Sequence, residues 1–304
     1  MGSHVLPSGG QSNPMNSKET PNERRGNSTV STLAVVAVFG IALGVAWYVY
    51  KDKVSRQQQF QLKPDMMSLT PEQPEWIKAD VLQEVFSDQK LEEQYLTDRK
   101  LASQLRDAFM LHPCVASVEK VSKRPDGVDV SLVYRNPVAM VVVKLDNRTW
   151  LYPVDDKAVV LPPRQFTKDD VAKYMRINHD YVPPAGQIGD DWGDDKVVAA
   201  AQIAGFLETA PWQEMGLYNI ELVDNPSTKE TAVYLLKKAT PGFRVLWGSL
   251  PGHEHEDELA APDKLRRLVE FYRANKRLDV STEPMELDLR PLSKIEVIPL
   301  VEVE

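Results

Sequence analysis

The sequence contains a single cysteine, Cys114, among 304 residues, so no disulfide can form within the chain. The cysteine count therefore does not indicate whether the protein lies in an oxidising or a reducing compartment. Cys114 lies between a proline and a valine ahead of a predicted strand, which favours a small buried hydrophobic residue over a reactive thiol. Basic residues are outnumbered by acidic ones, 36 to 44, and no basic stripe is present that would neutralise a phosphate backbone. Nucleic acid is therefore not a predicted partner.

The sequence also lacks recognisable catalytic motifs. It has no glycine-rich phosphate loop, and neither His112 nor His179 has a serine or cysteine beside it in a nucleophile-elbow context. The one dense group of metal-capable side chains, His253 to Glu258, lacks the helical i, i+4 spacing of a zinc-protease motif, and its acidic end is typical of a solvated loop. Catalytic groups can also converge from distant positions, which such motifs do not reveal. From the motifs alone, we expect no catalytic residue, no metal site and no cofactor.

One hydrophobic run is long enough to cross a bilayer. The stretch from Thr29 to Tyr50 has no charged residue and is rich in Val, Ala, Leu and Ile, and Lys51 follows it directly. About 20 apolar residues rising 1.5 Å each span the roughly 30 Å of hydrocarbon. The run is longer than the apolar region of a cleaved signal peptide and does not follow a short basic start. We therefore predict an uncleaved transmembrane helix over residues 29–50.

The flanks of this run are polar. Residues 1–28 lack apolar periodicity, which predicts a disordered tail, and residues 51–73 are typical of a linker that includes, on one interpretation, a first strand at Phe60 and Leu62. Basic residues are nearly balanced on the two sides, so the positive-inside rule does not fix the orientation.

Within the predicted span, Gly40 and Gly44 form a small-xxx-small pair. Such a pair lets a second helix approach closely, although glycine and alanine are also frequent in membrane helices without that role.

A small α+β unit is predicted over residues 74–136. Apolar residues recur at helical spacing from Ala79 to Phe86, and again in a helix that opens at the capping residues Thr97 or Asp98. Two alternating strands then flank a Pro-Asp-Gly turn, which indicates a hairpin. The strands cover Val115–Val121 and Val128–Tyr134. This order predicts two helices that pack on a short sheet.

Residues 137–304 are predicted to form a mixed β-domain with covering helices. Asp155 and Asp156 are expected in a solvated turn, and the long stretch from Pro162 to Trp192 in a surface loop whose acidic end caps the next helix. The predicted helices are Val197–Leu207 and one that begins at Pro262. The predicted strands are Ala139–Leu145, Trp150–Val154, Ala158–Leu161, Tyr218–Val223, Ala232–Leu236, Phe243–Trp247, Met285–Leu289 and Ile295–Val303.

Several blocks of the sequence resemble the FtsQ/DivIB family of bacterial cell-division proteins. The clearest block, Leu101–Val141, is similar to that family's second POTRA helix, its hairpin and the entry to the following β-domain. Arg135 and Pro137 resemble the junction between those two domains, and Leu287–Arg290 resembles the family's final strand. The resemblance implies a cytoplasmic N-terminal tail, one helix in the inner membrane, and extracytoplasmic domains that bind the membrane-anchored division proteins FtsB and FtsL.

The implied partner surface lies near the C-terminus. Its residues are Asp288, Arg290, Ser293, Ile295, Glu296, Val297, Ile298 and Pro299. The segment suits binding through a strand edge, which presents unpaired N–H and C=O groups to an added strand. Ile295 and Val297 would face one way and Glu296 the other, and Pro299 would limit the pairing because it has no N–H. The alternative is an ordinary sheet edge guarded by its charged side chains.

Two further interpretations belong to other classes of protein. A membrane-tethered enzyme or ligand-binding protein of the envelope would have a pocket with converging polar groups. A secretion component with a POTRA domain would require a membrane β-barrel, and no run of lipid-facing alternating strands supports one. At the domain junction, Arg135 and Pro137 are expected to fix the chain direction and not to contact a partner.

The predicted membrane helix can be tested at its centre. Replacing Ala42 with Arg should raise the free energy of insertion by about 2.5–3.5 kcal/mol, because a charge is placed in the hydrocarbon. A membrane-insertion reporter assay should show reduced insertion for Ala42→Arg and none of this loss for Ala42→Leu. Equal insertion of both variants would contradict the transmembrane assignment.

Overall fold

The computed structural model describes residues 28–55, 58–224, 230–237, 242–280 and 283–300. The chain divides into two compact units, residues 1–55 and residues 56–304. The predicted disordered tail lies outside the described residues except for Ser28, and so does the end of the last predicted strand, residues 301–303.

The first unit contains helix α1, Ser28–Ser55. Its segment Leu33–Tyr50 is long and apolar enough to cross a membrane, and the side chains of this segment are exposed. The prediction of a membrane-length apolar helix is thus confirmed. Gly40 and Gly44 lie on this helix with open space where a Cβ atom would stand, so a neighbouring helix could approach there.

The second unit begins with a three-stranded sheet covered by two helices. The elements are β1 (Met67–Thr70), α2 (Val81–Asp88), α3 (Leu101–Met110), β2 (Val115–Arg124) and β3 (Gly127–Tyr134). The strand order is β1-β3-β2, with β1 parallel and β2 antiparallel to β3. Helices and sheet share one apolar core because the helical stripe Leu101, Leu105 and Phe109 is buried together with alternate residues of β3. The two predicted helices and the hairpin are confirmed.

Two local predictions in this part of the chain are wrong. Phe60 and Leu62 do not begin a strand: Phe60 ends a 3-10 turn, Gln61 makes only an isolated antiparallel bridge to Tyr95, and Leu62 is a buried core residue. An apolar alternation over three residues is too short to distinguish these cases. Helix α3 begins at Leu101 and not at the capping residues Thr97 or Asp98, because a turn closed by Asp98 N–H and Tyr95 C=O precedes it.

The rest of the second unit is built on an eight-stranded mixed sheet of order β11-β10-β9-β8-β7-β6-β4-β5. Its strands are β4 (Ala139–Leu145), β5 (Arg148–Val154), β6 (Met175–Asn178), β7 (Leu217–Asp224), β8 (Thr231–Lys237), β9 (Phe243–Gly248), β10 (Met285–Asp288) and β11 (Glu296–Pro299). Helices α4 (Lys168–Val171), α5 (Asp195–Glu208) and α6 (Ala261–Asn275) complete it. The mixed α+β class and most of the predicted strands and helices are confirmed.

The stretch from Pro162 to Trp192 is not the surface loop that was predicted. It contains α4 and β6, and β6 pairs in parallel with both β4 and β7 in the interior of the sheet. Only Met175 and Ile177 of this strand are buried, a pattern too short to predict from sequence. The acidic end of the stretch does cap α5, since the Asp194 side chain accepts from Lys196 N–H. The segment Ala158–Leu161, predicted as a strand, makes only isolated bridges.

One face of the large sheet forms the core. One residue from each of seven strands lies in register with the next, and the side chains of these seven residues lie on the same face. This row, which we call the core row, consists of Val141, Ile177, Ile220, Leu235, Val245, Leu287 and Val297. Helices α5 and α6 contribute to the same apolar cluster as the first six residues of the row, so they cover this face.

A polar connection joins the large sheet to the smaller one. Gln165 is 3% exposed, and its Oε1 accepts hydrogen bonds from the backbone N–H groups of Lys78 (2.6 Å) and Ala79 (3.1 Å), just before α2. Beside it, Trp76 stacks on Phe166 with ring centroids 5.5 Å apart. These contacts hold the two sheets together within one unit.

Arg135 and Pro137 lie in the connection between β3 and β4. Arg135 Nη1 donates to Asp155 Oδ2 at 2.7 Å, and Pro137 is buried. Asp155 is only 3% exposed and also accepts from Val159 N–H, so the prediction that it is a solvated turn residue is wrong. The carboxylate is retained in the interior because Arg135 and backbone donors replace its water.

Cys114 is confirmed as a buried residue, at 0% exposure. Burial, together with the nearby Glu84 carboxylate, raises the pKa of its thiol to about 12. The thiolate is therefore scarce at neutral pH.

The role of Gln165 predicts a measurable loss of stability. Replacing Gln165 with Ala should lower the free energy of unfolding by about 1–3 kcal/mol, because two backbone donors lose their acceptor. The control Gln165→Glu keeps an acceptor oxygen and should lose less. Urea unfolding of the full chain in detergent measures both; an unchanged midpoint for Gln165→Ala would show that these bonds contribute nothing.

Candidate functional site

Strand β11 is an edge of the large sheet. It pairs antiparallel with β10, in the register Leu287 with Val297 and Asp288 with Glu296. Leu300 N–H donates to Pro284 C=O at 2.9 Å, and hydrogen-bonded pairs alternate along an antiparallel ladder. The backbone groups of Glu296 and Ile298 therefore point toward β10, while the N–H and C=O of Val297 point to the open edge.

Val297 is also the end of the core row. The six preceding members are at most 1% exposed, whereas Val297 is 46% exposed. An apolar side chain and an outward backbone donor thus occur at the same residue of an edge strand, which is the arrangement that an added strand would use. Pro299 offers an outward C=O but no N–H, so pairing beyond it is limited.

The other face of this edge is polar. Glu286 and Asp288 of β10 lie on it, and each carboxylate has a cationic partner: Arg244 Nε is 2.6 Å from Glu286 Oε2, and Arg290 Nη2 is 2.7 Å from Asp288 Oδ2. Arg290 also donates through Nε, so it holds Asp288 with two nitrogens. Hydrogen bonding to Asp288 raises the pKa of Arg290 above its ordinary value. A groove of about 930 Å³ runs along this face.

A buried ion pair supports the groove. Lys264, at 0% exposure, places its Nζ 2.6 Å from Glu258 Oε1 and lies over the Trp247 ring. Glu258 also accepts from the Ser249 backbone N–H and hydroxyl, at 2.8 and 2.6 Å. Burial opposes ionisation of Glu258, but the hydrogen bonds from Lys264 and Ser249 outweigh it, and the pKa of the carboxyl lies below its ordinary value.

The backbone around the pair is fixed by a glycine and by hydrogen bonds to three carbonyl groups. Gly248 has φ +100°, and a Cβ there would collide with the Glu258 carboxylate, so this close approach requires glycine. Leu259 N–H donates to Arg290 C=O, and Arg267 donates to the carbonyls of Pro291 and Leu292. The segment between β10 and β11 is thereby tied to α6.

The structure brings the predicted partner residues together. Asp288, Arg290, Ser293 and Glu296 line the groove. Ile298 lies on the same face, and Ile295 packs against the core on the opposite side. Whether these residues bind a partner stays a prediction.

Sequence reasoning missed the buried pair. The prediction that Glu258 belongs to a solvated acidic loop is wrong, since the residue is 7% exposed. A signal was present on the helix side: Lys264 falls with Ala261 and Leu268 on the buried stripe of α6, a position that a solvated lysine would not occupy. Among the described residues, no three His, Cys, Asp or Glu side chains are grouped as metal ligands.

A second cavity, of about 600 Å³, lies at the connection between the two sheets. Arg135 and Asp155 line it and pair with each other, and Asn136 Nδ2 donates to Glu208 Oε2 at 3.1 Å. Burial raises the pKa of Glu208 despite this hydrogen bond. Arg135 and Asn136 thus bond to neighbouring carboxylates, whereas the buried Tyr134 hydroxyl and Arg135 Nε in the same lining have no hydrogen-bond partner among the described residues.

No protein-family model matches the sequence. A search of curated proteins also finds no match.

The buried pair predicts a strong effect of removing one partner. Replacing Lys264 with Met should destabilise the chain by about 3–5 kcal/mol, because the Glu258 carboxylate is left buried without a cation. The double variant Glu258→Gln with Lys264→Met should recover part of this loss. Thermal unfolding measures both, and equal stability of Lys264→Met and wild type would show that the pair is not needed.

The same pair predicts acid sensitivity. Because the folded-state pKa of Glu258 is depressed, its stabilising contribution is present above the unfolded carboxyl pKa of about 4.3 and is lost as the pH falls through the folded value. In urea unfolding measured between neutral and acidic pH, the free energy of unfolding of the wild type should fall as the pH falls. The same quantity should depend less on pH in Glu258→Gln.

Proposed function

We propose that this chain is a membrane-anchored scaffold of the bacterial cell-division machinery, similar to FtsQ/DivIB proteins, that binds other division proteins and has no catalytic role. Helix α1 would anchor it in the inner membrane with the N-terminus in the cytoplasm. Residues 56–304 would then act outside the cytoplasm. The order strand, helix, helix, strand, strand in residues 67–134 agrees with a POTRA-like unit ahead of the large sheet.

The observation that carries the proposal is the edge at Val297. Six buried residues of the core row lead to an apolar residue that is 46% exposed and whose backbone groups point away from the sheet. A strand from a partner would satisfy those groups and cover the Val297 side chain. Membrane-anchored partners of the FtsB and FtsL kind would supply such a segment.

The competing proposal, an envelope enzyme or ligand-binding protein, calls for a pocket whose polar groups are directed at a ligand. The cavity at the sheet connection has the unpaired Tyr134 hydroxyl and Arg135 Nε, but its main charged groups, Arg135 Nη1 and Asp155, bond to each other and are not directed at a ligand. The edge strand therefore favours the scaffold.

The test is a proline at the outward donor. Replacing Val297 with Pro removes the N–H that faces the open edge and leaves the β10 ladder intact, since edge strands tolerate proline at such positions. Loss of one hydrogen bond of about 1.5 kcal/mol lowers affinity roughly tenfold. Co-purification of FtsB- and FtsL-like proteins with the full chain from membranes should fall accordingly.

Two variants control this experiment. Val297→Ile keeps both the N–H and the apolar side chain and should retain the partners. Ile298→Pro removes a donor that points toward β10 and should destabilise the edge itself. Undiminished co-purification with Val297→Pro would rule out this edge as the docking surface.

A further inference from the structure

On the polar face of this edge, a carboxylate of β11 lies opposite a carboxylate of β10. Glu296 lies directly opposite Asp288 in the register of the two strands, and like charges in that position destabilise a sheet. Arg290 already holds Asp288 with two nitrogens. Among the residues that the structure describes, no cationic group lies within ion-pair distance of the Glu296 carboxylate.

The groove beside this pair is strongly acidic. One arginine, Arg290, and one histidine, His255, line it together with six carboxylates. These carboxylates belong to Glu230, Asp257, Glu258, Glu286, Asp288 and Glu296. Among the described residues, Glu258, Glu286 and Asp288 each pair with a lysine or arginine, and His255 lies 3.7 Å from Glu230. Carboxylates thus outnumber cationic side chains in the described lining of the groove, which makes this lining acidic.

The register determines how an added strand would meet this acidic lining. Its residue opposite Val297 would lie on the core side, where apolar residues Leu287 and Ile295 are neighbours. The residues on either side would lie on the polar face, opposite Glu296 and Ile298. Lysine and arginine side chains are long enough to reach across one strand while their stems cover an apolar residue such as Ile298.

We infer that the partner segment is an extended strand with alternating apolar and basic residues, whose lysine or arginine side chains pair with Glu296 and enter the acidic groove. This inference rests on the proposed function and names the chemistry of the partner at the same edge. Opposite charges supply selectivity for the partner, and backbone pairing at Val297 supplies the common part of the affinity.

The experiment uses three eight-residue peptides on the full chain in nanodiscs of phosphatidylcholine, a lipid without net charge. The peptides are repeats of Lys-Val, Ser-Val and Glu-Val, and fluorescence anisotropy measures their dissociation constants. The Lys-Val peptide should bind about fivefold more tightly than Ser-Val, and Glu-Val more weakly than either. The difference between the peptides should shrink at about 1 M salt, where charges are screened beyond about 3 Å.

Two charge variants make the result specific to the edge. Glu296→Lys should reverse the order of the Lys-Val and Glu-Val peptides. Glu270→Lys places the same change of charge on an exposed position of α6 and should leave the order unchanged. If Lys-Val and Ser-Val bind with equal affinity, or if Glu296→Lys leaves the order of the peptide affinities unchanged, the inferred partner chemistry is wrong.

Failure of the inference and failure of the proposed function give different results. Val297→Pro should weaken all three peptides to a similar extent. If it does so while the charge of the peptide has no effect, the edge binds strands and only the inferred basic character is wrong. If none of the three peptides binds wild type, or if Val297→Pro has no effect on any of them, strand addition at β11 is itself contradicted.

Discussion

The alternation of strand side chains between the two faces of the large sheet, one of which α5 and α6 cover, governs this part of the fold. Each strand from β4 to β10, β5 aside, contributes one fully buried residue to the core row, and α5 and α6 close over that row. The alternate positions then face the other side and can be polar, as Glu286 and Asp288 are. Because none of the described strands pairs with the outer side of β11, the row ends at Val297, which has a half-exposed apolar side chain and outward backbone groups.

The buried pair of Glu258 and Lys264 connects that edge to the helical layer. Lys264 belongs to α6 and lies over Trp247 of β9, while Glu258 belongs to the loop that bridges to Pro291. Lys264 has no solvent exposure and therefore requires the Glu258 carboxylate as its partner. The carboxylate stays ionised because Ser249 and Lys264 donate hydrogen bonds to it. The segment leading into β11 is therefore held by charge as well as by packing, which keeps the groove and the strand edge in a fixed relation.

Long periodic patterns were sufficient for much of the fold. The stripe of Leu101, Leu105 and Phe109 predicted α3, and the alternation in Val128, Val130 and Leu132 predicted β3, because each pattern repeats over at least two periods. Strand β6 was missed since its four residues bury only Met175 and Ile177. The sequence indicated the edge segment through its composition and through a family resemblance, and it gave no sign that Glu258 would be buried.

The sequence by itself determined the apolar helix near the N-terminus, the amphipathic helices, the hairpin and the apolar character of alternate strand positions, since these follow from the spacing of residues close in the chain. Only the tertiary structure decided which strand stands at the edge, which backbone groups of Val297 face outward, and which charges meet. Strand order, register and the pairing of Glu258 with Lys264 depend on contacts between packed elements, and local spacing does not encode them.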